Sequence, residues 1–502
     1  MCGAYNEAME NVTDNSAARA LPLDRAACYR ALAAKDARFD GVFFTGVKTT
    51  GIYCRPVCAV KTPRESSCQF FGSAAAAEAA GFRPCLRCRP ELAPYALQQN
   101  LAHAVWQRIA GGALNDGDVE RLAREVGLSS RQLRRVLLQH FGVTPIELAQ
   151  TQRLLFAKKL LQETSLPMAE IAYAAGFGSV RRFNASFSQR YGIAPTTIRR
   201  ATVPAAAAES AALTLRLAYR PPYQWQRIVA YLAGRAIPGV EAVLTENGQE
   251  AYVRSIRIGE TQGWLRVTHR AQRAQLEVEV AAALTPVLMP LLARVRAQFD
   301  LDANPGVIDA HLCGDPLLAD RIAHWPGLRV PGAFDAFELA VRAVLGQQVS
   351  VAGATTLSGR LVARFGEPVV TPFAQVARHF PLADALAAAE EGIAAIGLPR
   401  TRAQTIAALA RFAAQGGLQL RPGIGLDEAV ERLKSVRGIG DWTAHYVALR
   451  ALRFPDAFPA GDLGLQKAAA EGGERLTEKQ LTARAAAWSP WRGYAALALW
   501  MG

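Results

Sequence analysis

The chain has 502 residues, about half of them apolar and a fifth charged, with a formal net charge of +14. That length exceeds what one hydrophobic core organises and predicts three or more domains. So basic a balance points to a polyanionic partner, nucleic acid before membrane, and no apolar run of about 18 residues offers a membrane span. The first residues carry no apolar signal core behind positive charges, so the expected location is the cytoplasm.

Residues 1 to about 93 hold cysteines and short strand-like pieces such as GVFFTGV (41–47). From about 95 to 200 the apolar period becomes helical. PAAAAESAA (204–212) reads as a linker. Alternation returns in LTLRLAYRPPY, AYVRSIRIG and QLEVEVAAAL, each bounded by turn residues, and from about 286 the chain is helical again. The predicted class is multidomain α+β. A cysteine domain spans 1–93, an all-α domain 94–200, a linker 201–212, a β-rich lobe 213–285 and a helical domain 286–502.

Of eight cysteines, Cys2, Cys28, Cys68 and Cys313 stand alone. The others form close pairs, Cys54-x3-Cys58 and Cys85-x2-Cys88, with 26 residues between the pairs. In a reducing compartment such pairs hold metal more often than they form disulfides, each giving two corners of a tetrahedral Zn²⁺ site. On spacing alone, a purely structural zinc module accounts for the pattern. The cations around it (Lys48, Arg55, Lys61, Arg64, Arg83, Arg87 and Arg89) add something else. Four thiolates on Zn²⁺ carry a net charge of about −2, which these cations offset, and they can also hold DNA phosphates. FFTGVKTTGIYCRPVC and GFRPCLRCRPE resemble the methylphosphotriester-sensing N-terminal domain of the Ada family, over about residues 25–92. The resemblance implies one Zn²⁺ on Cys54, Cys58, Cys85 and Cys88, with Cys54 as methyl acceptor and a one-use switch in DNA affinity. Cys68 reads as a packing cysteine.

The helical region contains a repeat. LAREVGLSSRQLRRVLLQHFGVTP (122–145) and IAYAAGFGSVRRFNASFSQRYGIAP (171–195) share a short helix, a glycine turn, a Ser-led second helix and an aromatic-Gly-aliphatic-x-Pro ending. Ser129 and Ser179 are good N-caps. Leu133, Val136 and Leu137, with Phe183 and Phe187, supply the buried stripes. Two such units joined by ELAQTQRLLFAKKLLQ resemble the AraC family, whose recognition helices enter the major groove. That makes Arg131, Arg134, Arg135, Arg181 and Arg182 candidate DNA contacts. A helical bundle with a solvated basic face is the bland alternative.

The last signal is VRGIGDWTAHYVALRAL (436–452). A helix ending near Lys434, a Gly438-x-Gly440 hairpin and a helix from about Asp441 give a backbone approach to a phosphate. Asp462, 22 residues after Gly440, stands at an expected helix start in AFPAGDLGLQKAA. Hairpin and following Pro459, Gly461 and Asp462 together resemble the helix-hairpin-helix base-excision glycosylases. AYRPPYQWQRIVAYLAGRAIPGVE, RVPGAFDAFELAVRAVLGQQVSV and WSPWRGYAALALW narrow this to the AlkA-type 3-methyladenine glycosylases, from about residue 212 onward. The resemblance implies Asp462 as catalytic carboxylate, ahead of Asp441 and Asp456, and Trp442, Tyr446 and Trp500 as walls of an aromatic base pocket. The lesser alternative is that those aromatics are only core.

Bifunctional members of that superfamily carry a lysine where this chain has Trp442, so a monofunctional enzyme is expected. Gln348, beside Gln347, stands where the resembled enzymes have a wedge leucine, and Met501 where they have an aromatic. The Pro-Cys-His motif of an alkylguanine transferase is absent. The combined expectation is an alkylation-repair and response protein acting on double-stranded DNA, both alkylated and promoter. RNA polymerase is a further partner of such a regulator, and no membrane is involved. The alternative is a methylation-responsive transcription factor whose C-terminal domain binds damaged DNA without catalysis.

Overall fold

A four-stranded sheet of short strands organises the cysteine domain, in the order Cys68–Phe71, Phe44–Val47, Ile52–Cys54, Arg83–Pro84. The first three strands are antiparallel and the last pair is parallel, with Tyr53 opposite Pro84. The computed structural model describes residues 24–93, 101–115, 117–200, 212–420, 424–470 and 474–501; Cys2, the linker up to residue 211 and Gly502 lie outside them. Gly46 is required in its strand, because a Cβ there would lie 2.8–2.9 Å from the rings of Phe71 and Phe82.

The repeat folds as two matching helix-turn-helix units. The second helices are Ser130–Phe141 and Val180–Tyr191, with Ser129 and Ser179 accepting from the third backbone amide of each. Both end on a left-handed glycine, Gly142 at φ 70° and Gly192 at φ 71°, which a side chain would strain. Leu133, Leu137, Phe183 and Phe187 are fully buried, as the apolar period predicts, and Val136 is half-buried. Between the units runs Pro145–Glu163, started by a Thr144/Glu147 capping box with Pro at its first turn.

The β-rich lobe is a five-stranded antiparallel sheet, ordered Ala212–Ala218, Gln275–Ala281, Thr261–Arg270, Gln249–Ile258, Glu241–Glu246. The Glu241–Glu246 and Thr261–Arg270 strands and the helix Trp225–Ala233 go beyond the three strands read from the sequence. Asn247 and Gly248, both at positive φ, make the tight turn that the right-handed strand twist favours. The helix Leu288–Gln298 packs on the sheet, and the helices from Pro305 onward build the last lobe around a large apolar core.

The modules are not beads on a string. One continuous apolar core runs from Leu154 through the second helix-turn-helix unit into the sheet and on to Val295. Buried polar bonds add the cysteine domain to that body. Glu78 accepts from Tyr53 within its own domain at 3.0 Å, and from Thr151 and Arg190 of the helical domain at 3.1 and 2.8 Å. Glu91 pairs with Lys158, Arg89 with Glu163 at 2.6 Å, and Glu163 also takes the Arg216 amide at 3.0 Å. Arg220, 1% exposed, donates to the Asp40 carbonyl at 2.9 Å. A missing partner in such a seam leaves a buried charge unpaired, so these bonds specify one docking arrangement. No helix among the described residues is long and apolar enough to cross a membrane.

Candidate metal centre, DNA-facing helices and active site

The parallel strand pair brings the four cysteines together. The Cys85 amide donates to the Tyr53 carbonyl at 2.9 Å, which lays Cys54 beside Cys85, and tight turns return Cys58 and Cys88 to the same spot. All four sulfurs lie within 4.8 Å of one another. Tetrahedral zinc with Zn–S of about 2.3 Å needs sulfurs ~3.8 Å apart, so the set fits the ion with small adjustment. Cys54, Cys58 and Cys85 are buried and Cys88 half-buried. Cys28 and Cys68 are buried away from the cluster, and Cys313 is exposed.

Two of the cations expected around the cluster turn inward. Arg55 pairs with the buried Asp40, and its amide and guanidinium also reach the Cys88 sulfur and carbonyl at 3.4 and 3.1 Å. Arg89 is committed to Glu91 and Glu163, and Arg83 donates to the Tyr191 carbonyl at 3.1 Å. Lys48, Lys61, Arg64 and Arg87 remain on the surface. Arg89 and Arg83 reach across to the helical domain, whereas Arg55 is buried within its own domain; no local pattern announces either.

Arg131, Arg134, Arg135, Arg181 and Arg182 are all exposed, each near the start of its second helix. Exposed arginines at that end of a helix can reach phosphates and base edges, helped by the positive end of the helix dipole. Arg190, farther along the same helix as Arg181, is the one drawn into the seam with Glu78.

In the last lobe, helices Leu426–Lys434 and Asp441–Arg450 flank the hairpin where expected. Gly438 has φ 91°, and a Cβ on it would lie 2.0 Å from the Thr405 hydroxyl, so only glycine fits. Asp462 caps Leu463–Ala468, its Oδ1 accepting from the Leu465 amide at 2.9 Å. Two indoles hold the same carboxylate: Trp442 donates to Oδ2 at 3.0 Å and Trp500 to Oδ1 at 3.1 Å. Trp442 stacks on Tyr446 with centroids 5.3 Å apart and 9° between planes, and Tyr446 meets Trp500 edge-on at 6.4 Å. The four side chains thus form one slot, each half-buried with a face toward solvent. The rival carboxylates are engaged elsewhere, Asp441 with Lys434 at 2.9 Å and Asp456 with Arg492 at 2.8 Å.

Gln348 is exposed in the left-handed region, φ 54°, at the tip of the turn after Ala336–Leu345. Such strain in a non-glycine residue often accompanies a functional turn. Gln347 does not project with it. Its amide donates to the Gly438 carbonyl and the Thr443 hydroxyl, both at 3.1 Å, tying this turn to the hairpin. Met501 packs on the helical core beside Trp500.

Four families match in chain order: the metal binding domain of Ada (27–91), a helix-turn-helix domain (122–201), the AlkA N-terminal domain (214–335) and the HhH-GPD superfamily of base excision DNA repair proteins (341–492). A protein of Mycobacterium tuberculosis described as a probable bifunctional transcriptional activator/DNA repair enzyme AlkA is 39% identical over 480 residues, covering 94% of this chain and 95% of that one. This chain belongs to that AlkA family. Two further relatives divide it between them. DNA-3-methyladenine glycosylase 2 of Escherichia coli is 37% identical over 57% of this chain and 95% of its own length. The bifunctional transcriptional activator/DNA repair enzyme Ada of the same organism is 36% identical over 23% of this chain and a third of its own length.

In this AlkA-family chain the clustered thiols of the Ada-type domain are the ligand set of one Zn²⁺. Two residues of the AlkA-type slot escaped the sequence reading. Arg450 is buried behind Tyr446 and donates to its hydroxyl at 2.6 Å, and Tyr231 arrives from the β-rich lobe within 3.5 Å of the same hydroxyl. Arg450 stands one helical turn after Tyr446, so the i, i+4 spacing could have suggested that pair. Tyr231 is 215 residues away in sequence and carried no such signal.

Proposed function

We propose that the C-terminal half is a monofunctional DNA glycosylase that flips an alkylated base of the 3-methyladenine type into the slot and hydrolyses its N-glycosidic bond. The N-terminal half is then a sensor that accepts methyl groups from phosphotriesters at Cys54 and regulates transcription through its paired helix-turn-helix units. The observation that carries the reading is the double indole grip on Asp462 beside the Trp442–Tyr446 stack.

Ring alkylation makes a purine cationic and its glycosidic bond weak, so the slot needs little acid catalysis. Electron-rich ring faces attract such a cation once it is extruded. Asp462, held by two indole N–H groups and the Leu465 amide, faces the sugar as positive charge develops at C1′ and orients the attacking water. The hairpin at Gly438 and Gly440 holds a backbone phosphate, and Gln348 enters the space left by the flipped nucleotide. Trp442 in place of a lysine leaves no amine at that point for a Schiff base, so the product is an abasic site and borohydride traps no adduct.

At the other end Cys54, Cys58, Cys85 and Cys88 hold Zn²⁺, which keeps thiolates deprotonated yet nucleophilic at neutral pH. The Cys54 sulfur takes the methyl carbon, and the electron pair of the broken C–O bond stays on the phosphate as a diester. The neutral thioether removes one negative charge from the DNA-facing surface, so DNA affinity rises. Arg131, Arg134, Arg135, Arg181 and Arg182 contact promoter DNA, and RNA polymerase is the partner through which a cytoplasmic activator acts.

One incubation tests both halves. Alkylated duplex should yield free 3-methyladenine, lost in Asp462→Asn. Intact-protein mass should rise by a single methyl group, lost in Cys54→Ser. Base binding without release by the unaltered chain would instead support a damage-binding transcription factor.

A further inference from the structure

We propose that Gln347 is a positioning residue for base extrusion, fastening the turn that carries Gln348 to the hairpin that holds the phosphate. Grip and wedge then act as one unit. The inference rests on the glycosylase reading and gives Gln347 a role other than direct contact with DNA.

The Gln347 side chain has two amide protons, and both are spent inside the protein. Nε2 donates to the Gly438 carbonyl and to the Thr443 hydroxyl, each at 3.1 Å, across 91 and 96 residues of chain. That nitrogen keeps no proton for a base edge or a phosphate. Gln348, one residue on, is exposed.

Both acceptors are themselves fixed. Gly438 lies in left-handed backbone, with the Thr405 side chain filling the place a Cβ would take. Thr405 is buried and donates to the Thr401 carbonyl of its own helix at 3.1 Å. Thr443 is buried in the first turn of Asp441–Arg450, next to the Trp442 that donates to Asp462. The position of the turn is thus set by the two parts of the lobe that meet the phosphate and the reacting sugar.

The turn needs such a fastening. Gln348 is held at φ 54°, a conformation that a side chain leaves unless its surroundings enforce it. The Gln347 amide donates to the Val344 carbonyl at 3.2 Å, which closes the helix before the turn. Ser350 caps the helix after it, accepting from the Gly353 amide at 3.1 Å. Those bonds fix two helix ends. Among the described residues, only the Gln347 side chain carries a hydrogen bond from 346–350 to an element beyond those two helices. Val349 and Val351, on either side of Ser350, are exposed apolar surface that an unstacked duplex can cover.

A nucleotide that swings out leaves a gap, and the stack closes again unless something fills it. With the tie in place, a phosphate caught at the hairpin brings Gln348 to the gap already ordered, so that cost is met in folding and not in binding. Without it the tip orders separately, and the extruded state loses population while the slot is untouched. Gln347 meets no reacting atom and acts through Gln348.

The test uses the full-length chain under single-turnover conditions with saturating enzyme. In one duplex a 7-methylguanine is paired with cytosine. In the other the same base stands opposite an abasic analogue, where little pairing opposes extrusion. Gln347→Met keeps the length of the side chain and removes both donors. Release from the paired duplex should slow by about 10- to 100-fold, the range of two lost hydrogen bonds, and from the unpaired one by no more than about twofold. Thr443→Val removes one acceptor and should give an intermediate ratio. The unpaired duplex also shows that each variant is folded with a working slot. Equal slowing on both duplexes overturns the inference, and so does slowing on neither. An unaltered chain that releases the base from neither duplex overturns the glycosylase reading itself.

Discussion

Trp442 donates its indole proton to Asp462 at 3.0 Å across 20 residues of chain, while the same ring lies nearly parallel to Tyr446. One side chain thus aims the carboxylate and forms a wall of the slot, and the two roles can be separated. Trp442→Phe keeps a flat wall and removes the N–H. A hydrogen bond to a charged group contributes about 1.5–3 kcal/mol, so release of 3-methyladenine should slow by roughly 10- to 100-fold. Single-turnover base release checks it, and a rate equal to the unaltered chain's counts against any role for that bond.

Gly438→Ala should cost more than a surface glycine change. The new methyl would collide with the Thr405 hydroxyl in a left-handed backbone. A penalty of about 1–3 kcal/mol is expected, with weaker DNA binding as the hairpin shifts. Thermal melting and duplex titration measure the two parts.

Asp40 is one of the points where the metal domain meets the rest of the body. Its carboxylate pairs with Arg55 and its carbonyl accepts from Arg220. Asp40→Ala leaves Arg55 buried without its counter-charge, a loss of about 3–5 kcal/mol for such pairs. Denaturant melts should show the metal domain loosening first, and a chelator should release Zn²⁺ from the variant faster than from the unaltered chain.

Acid should weaken the molecule in a defined window. Burial, with His140 nearby, pushes His103 down to about 4, and burial with Arg257 does the same to His379. In the unfolded chain both take up a proton near pH 6.5, which the folded state resists. Their contribution is therefore full above pH 6.5 and lost as pH falls towards 4. The melting temperature should drop across that interval, and His103→Phe should flatten the profile.

The five exposed arginines separate by salt dependence. Replacing an arginine that contacts only phosphate weakens all DNA alike and reduces the salt slope by about one. One that reads a base edge loses about 1–3 kcal/mol on its promoter alone. Ala substitutions of Arg131, Arg134, Arg135, Arg181 and Arg182, titrated at several salt concentrations, assign each residue to one group.

Much of this was legible because the signals are local. The paired cysteines, the repeated Ser-led helices and the Gly-x-Gly hairpin each lie within a few tens of residues, where spacing alone dictates which side chains share a turn or face. The strand Thr261–Arg270 was legible too, since Gly263, Leu265 and Val267 alternate inward, yet it was passed over. The helix Trp225–Ala233 was hidden in a region read only for alternation.

By itself the sequence determined the order of modules, the four metal ligands as a set, and Asp462 as the first of three rival carboxylates. Only the tertiary structure decided that Asp441 and Asp456 are committed to Lys434 and Arg492, that Arg55 and Arg89 face inward, and that Gln347 turns back to the hairpin. It alone brought Tyr231 to Tyr446. A short motif specifies which polar groups a segment offers, but each group takes as partner whatever the folded body brings within about 3 Å, and that partner can stand anywhere in the chain.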